Sequence, residues 1–120
     1  MRSLFPMLAV LAGALALSSP TMAEGFADHG TVTAKRAGGK VTIVVKGKGD
    51  FHVNVEYPIK VELGSAKLTK AEGKYEGIHD GKADSVTFET TDGASKGKVK
   101  AVFCDKKSCT APLSTEFDVK

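Results

Sequence analysis

The sequence predicts an all-β protein, an antiparallel β-sandwich of seven or eight strands behind a cleaved export signal. Three observations carry this. Short β-prone runs alternate with Gly, Pro and Asp turn residues at the spacing of a sandwich. Several runs alternate apolar and polar residues: Val41, Ile43 and Val45 share one face, as do Phe51, Val53 and Val55, and Val86 and Phe88. No stretch after residue 23 carries a helical period.

The N-terminus reads as a secretory signal, residues 1–23. Arg2 is the positive flank, and Leu4–Leu17 is an apolar stretch of 14 residues. Ser18, Ser19 and Pro20 end it, and Thr21-Met22-Ala23 sets small residues for cleavage after Ala23. A membrane span needs about 20 apolar residues, so this stretch is short for an anchor. Cleavage leaves 97 of the 120 residues, one domain's worth, with no membrane insertion expected thereafter. The expected location is periplasmic or secreted.

Residues 24–30 are small, polar and aperiodic, and are expected to form a flexible leader before the sandwich domain, 31–120. Thr31–Ala37 and Lys40–Lys46 flank Gly38-Gly39, a tight-hairpin signal. Gly47–Asp50 is a second turn. Phe51–Tyr57 is the next strand, divided by Pro58 from Ile59–Leu63, because proline cannot donate to a ladder. Ala66–Glu72 reads as either a short strand or a helical turn. Gly73–Asp84 has three glycines and few apolar residues, and reads as a long surface loop. Ser85–Thr91, Lys98–Cys104 and Thr110–Val119 complete the set.

Charge narrows the partners. Without Arg2, 16 basic residues oppose 14 acidic ones, interspersed along the chain. Near-neutrality argues against nucleic acid or a membrane surface. The alternating Lys96, Lys98 and Lys100 read as the solvated face of a strand. No hydrolase triad, phosphate-cradling loop or cofactor-binding motif is present, and Gly47-Lys48-Gly49 lacks what a P-loop requires after it. Asp28-His29 and His79-Asp80 invite a metal reading, but their spacing fits no zinc pattern, so no metal is expected. His52, between Phe51 and Val53, belongs on the outer face of a sheet.

The only two cysteines, Cys104 and Cys109, are the candidate site. In an exported chain a close pair is expected to be oxidised. If Asp105–Ser108 is a hairpin loop, the two oppose each other and share a face. Lys98 and Lys100 mark the face of Cys104 as outward, so Cys104 is expected to point toward solvent. Counting by twos from Cys109, however, reaches Leu113, Phe117 and Val119, a buried set. The conflict resolves if a bulge or strand break lies within Ala111–Leu113, where Pro112 would interrupt the ladder anyway. A loop of six residues contributes only about 2 kcal/mol through chain entropy. Lys106 and Lys107 favour a thiolate and Asp105 opposes it. The residues leave two functions open: a disulfide that only staples a hairpin in a secreted binding or structural module, and one that exchanges.

Gly49-Asp50-Phe51-His52-Val53-Asn54, then Tyr57-Pro58-Ile59-Lys60-Val61-Glu62-Leu63, then Val102-Phe103-Cys104 with Cys109, resembles the N-terminal periplasmic domain of the bacterial transmembrane thiol-disulfide interchange protein family, the disulfide-bond corrector type. The likeness runs from Ala34 to Val119. It implies an immunoglobulin-like sandwich in which Cys104 and Cys109 are the redox pair. It also implies a periplasmic or membrane thiol-disulfide oxidoreductase as partner, with electrons passing from a membrane-embedded donor to periplasmic acceptors.

Overall fold

A computed structural model describes residues 21–120. The signal segment 1–23 lies almost wholly outside the described residues. Eleven strands among these residues make three antiparallel sheets. The first sheet runs β1(Gly30–Ala37)–β2(Lys40–Gly47)–β8(Ser85–Thr90)–β6(Lys74–Glu76). The second runs β11(Leu113–Asp118)–β9(Lys96–Ala101)–β4(Lys60–Leu63)–β5(Ala66–Thr69). A small third sheet, β10(Phe103–Cys104)–β3(His52–Asn54)–β7(Lys82–Ala83), completes the sandwich.

Alternation decides what faces inward. Val41, Ile43 and Val45 of β2 are fully buried, as are Val86 and Phe88 of β8, Val61 and Leu63 of β4, and Val99 and Ala101 of β9. Val53, Ala83 and Phe103 extend this interior under the third sheet. No polar or charged side chain is buried among the described residues, so burial of apolar surface holds the layers together while the backbone ladders hold the strands within each sheet. The C-terminus ties the two large sheets: the Lys120 N–H donates to the Ala34 carbonyl (2.9 Å), and the Arg36 N–H to the Lys120 carbonyl (2.8 Å).

The Gly38-Gly39 hairpin forms as expected, with Ala37 opposite Lys40 and both glycines at positive φ (59° and 79°). This is the backbone that a two-residue turn of matching twist requires. Ala66–Glu72 realises both of its readings, as strand β5 followed by a single 3₁₀ turn, Lys70–Glu72.

Four expectations need correction. Residues 24–30 are not a loose leader: α1 spans Thr21–His29, and Phe26 is 1% exposed. One aromatic among small residues makes no period, yet its ring fills the end of the core and orders the turn around it. Phe51–Tyr57 is a strand only over His52–Asn54, because Asn54 Oδ1 accepts from the Glu56 and Tyr57 N–H groups (2.8 and 3.3 Å) and turns the chain. Lys98–Cys104 is two strands, interrupted at Val102, whose carbonyl accepts from the Asn54 N–H (2.9 Å).

Gly73–Asp84 is the fourth: it holds β6 and β7, the latter entered through the turn His79-Asp80-Gly81-Lys82. Asp80 and Gly81 both have positive φ (53° and 75°), and reciprocal His79–Lys82 backbone bonds (2.7 and 3.0 Å) close the turn.

Candidate functional site

The site is built on the outer face of the third sheet. In its ladder Phe103 pairs with Val53 and Val53 with Ala83, and all three face the core. The next register position inverts the face. There Cys104 pairs with His52, and the same register carried one residue beyond Val53–Ala83 sets Asp84 across from His52. On the other side of Cys104, an isolated antiparallel bridge pairs it with Cys109. Four side chains therefore form one row across four adjacent backbone segments: Cys109, Cys104, His52 and Asp84.

Cys104 and Cys109 form the expected disulfide, with Cα atoms 3.9 Å apart. The hairpin that opposes them is closed locally. The Asp105 N–H donates to the Ser108 carbonyl (2.9 Å), and Asp105 Oδ1 accepts from the Lys107 and Ser108 N–H groups (2.8 Å each). These backbone bonds, Ser108 first and Lys107 next, hold the Asp105 carboxyl below its ordinary pKa. The Thr110 N–H donates to the Phe103 carbonyl (2.8 Å), and Thr110 Oγ1 accepts from the Phe103 N–H (3.2 Å). The break comes where Pro112 was expected to force it: residues 110–112 carry no ladder and β11 begins at Leu113. Cys109 and Ala111 are thereby exposed while Phe117 is buried.

The orientation of Cys104 corrects its expected exposure. It does lie on the face opposite Phe103, but it is only 2% exposed, whereas Cys109 is exposed. An outward-facing residue is sealed when its neighbours in the row cover it, and here Cys109 lies on one side and His52 on the other. The disulfide is asymmetric, with one covered and one open end.

His52 occupies the outer face, as alternation required. Its Nε2 lies 3.3 Å from Asp84 Oδ1 and its Nδ1 lies 3.2 Å from the Asp50 carbonyl oxygen. Beside it opens a cleft of about 730 Å³, walled by Asp105, Lys106 and Lys107 of the disulfide hairpin and by the His79–Lys82 turn opposite. His79 Nε2 pairs with Asp80 Oδ2 at 3.3 Å on the rim. His29 stands elsewhere, edge-on to Phe51 with ring centroids 4.5 Å apart and Nδ1 at 2.7 Å from the Gly25 carbonyl oxygen. Among the described residues no three His, Cys, Asp or Glu side chains gather to hold a metal ion. Asp84 and the cleft were missed from sequence. The signal that could have found them is Asp80-Gly81, a hairpin dipeptide inside the supposed loop. No protein-family model matches the chain, and no curated protein or solved structure matches it.

Proposed function

We propose that this chain is an exported thiol-disulfide exchange domain, with Cys104 and Cys109 as its redox pair. The observation that carries the proposal is the asymmetry of the bond: Cys109 is exposed at the hairpin tip while Cys104 is 2% exposed. Exchange requires in-line access to one sulfur and departure of the other. An incoming thiolate can reach Cys109 Sγ, so the mixed disulfide forms there and Cys104 is the leaving and resolving thiol. The order of strands supports the immunoglobulin-like reading that goes with this function. One sheet follows the A-B-E-D order and the other the G-F-C order extended by one strand. The partner is a periplasmic or membrane thiol-disulfide oxidoreductase, and the chemistry needs no cofactor.

A stapling role draws on a specific observation too: the hairpin is already closed by the Asp105 and Thr110 bonds, and the cystine fits that closed form without opening it. A redox titration with alkylation of free thiols separates the two. An exchanging pair titrates well above about −300 mV in the native protein. Reduction only after denaturant is added would refute exchange and leave the staple.

A further inference from the structure

We infer that Lys106 and Lys107 make Cys109 selective for an acidic partner, a protein whose attacking thiolate is flanked by aspartate or glutamate side chains. The inference rests on the exchange reading above and names the chemistry of its partner. Its basis is the loop that the disulfide closes. In Asp105-Lys106-Lys107-Ser108 the last three residues are exposed, as is Cys109, while Asp105 is half-buried.

Neither lysine enters a salt bridge among the described residues. The one carboxylate of the loop is turned to its own backbone, where Asp105 Oδ1 accepts from the Lys107 and Ser108 N–H groups (2.8 Å each). The loop thus carries a net positive charge, and its positive groups are the ones that meet solvent.

The chain itself fixes how near these charges are. The Cα atoms of Cys104 and Cys109 are 3.9 Å apart. Lys107 is two residues from Cys109 and Lys106 two from Cys104, so each backbone lies within about 8 Å of one end of the bond. Coulomb attraction acts over that range without an aimed contact, because the screening length is about 8–10 Å at ordinary salt. In water each lysine then favours an approaching negative charge about twofold.

Other charges stand farther round. Asp50, Asp80, Lys82 and Asp84 line the cleft with His52 and His79. They lie on the Cys104 side of the bond, since the row runs Cys109, Cys104, His52, Asp84. In-line attack on Cys109 Sγ comes from the opposite side.

The partner's thiolate attacks Cys109 Sγ and forms a new S–S bond. The Cys104–Cys109 bond breaks, its electron pair passing to Cys104 Sγ, which takes a proton from solvent. The partner's second thiol loses its proton to solvent and displaces Cys109, which solvent protonates. The partner dithiol ends as a disulfide, and Cys104 and Cys109 end as thiols.

The test compares three dithiols as reductants of the native disulfide: anionic dimercaptosuccinate, neutral dithiothreitol and cationic dithiobutylamine. Each rate is expressed per concentration of thiolate, and each reagent is its own reference between wild type and the double variant Lys106→Gln, Lys107→Gln. At low salt the variant should be slower by at least about fivefold with dimercaptosuccinate, by about two- to threefold with dithiothreitol, and hardly at all with dithiobutylamine. These differences should collapse in 1 M potassium chloride. Equal slowing with all three reagents overturns the proposal, because it would show a distorted loop and not a lost charge. Unchanged rates overturn it too, as does the same graded effect from Lys82→Gln. A native disulfide inert to all three dithiols overturns the exchange reading itself, a separate failure.

Discussion

Phe26 and Phe103 meet edge to face, with ring centroids 5.1 Å apart and planes at 86°. The contact joins α1, the helix before the first strand, to β10, the strand that carries Cys104. Both rings are sealed in the core, and such pairs add about 0.5–1.5 kcal/mol beyond their burial. The backbone at Phe103 thus has one side anchored in the core and the next residue, Cys104, committed to the opposite face and to the disulfide. Phe26→Ala should cost about 3–5 kcal/mol. The check is a urea unfolding curve with a lowered midpoint and an unchanged slope, which would place the loss in the native state.

That contact also marks where the sequence ceased to be readable. Strands β2 and β8 were legible because their faces repeat every two residues over eight and six positions, and β1 because Gly38-Gly39 marks a hairpin into β2. The cystine was legible because Cys104 and Cys109 are the only cysteines and lie close together behind an expected export signal, and the break at Pro112 because a conflict in side-chain parity admits few repairs. Helix α1 was not, since Phe26 is a single anchor whose partner lies 77 positions away. Nor was the His52–Asp84 contact, which depends on β7, a strand of two residues that no period can reveal.

Gly39 and Gly81 occupy the same kind of turn, at φ 79° and 75°. A Cβ on Gly39 would meet nothing within 4 Å, so Gly39→Ala isolates the conformational cost, about 1–2 kcal/mol. Gly81→Ala should cost a similar amount, because only the side chain of Glu56 comes near its Cβ, at 3.6 Å. The two differ in consequence. The Gly81 carbonyl accepts from the Val55 N–H (2.9 Å), so distorting this turn disturbs the cleft wall. Thermal melts should fall together, while dithiothreitol reduction rates should change only for Gly81→Ala.

Removing the cystine should leave the fold standing. Its loop spans six residues, and the chain-entropy model assigns it about 2 kcal/mol. The Asp105 carboxylate and the Thr110 backbone and hydroxyl bonds keep the hairpin closed without it. The double variant Cys104→Ser, Cys109→Ser should therefore retain the wild-type amide spectrum outside residues 103–110, with an unfolding free energy lower by about 2 kcal/mol. Global loss of dispersion in that spectrum would mean that the bond does more than close its own loop.

Asp92 and Lys96 give the stability a pH dependence of opposite signs at the two ends of the scale. The Asp92 carboxylate accepts from the Ala94 N–H (2.9 Å) and from the N–H and hydroxyl of Ser65 (3.2 and 3.1 Å). These bonds, Ala94 first, hold its pKa below the ordinary carboxylate value. A carboxyl whose folded pKa lies below the unfolded value of about 3.9 stabilises the fold above that value. The contribution disappears as pH falls through the folded pKa. Lys96 is the reverse case: its hydrogen bond to Asp118 (2.8 Å) raises its pKa. Its contribution is complete below the unfolded value of about 10.4 and disappears as pH rises through the folded one. Both groups are fully exposed, so each effect is small and screened by salt. Asp92→Ala should lower the melting temperature at pH 7, and the gap to wild type should close on acidification below pH 4. Lys96→Met should do so at pH 7 with a gap that closes above pH 11. A gap of constant size across either range would show that the substitution acts through packing and not through the charge.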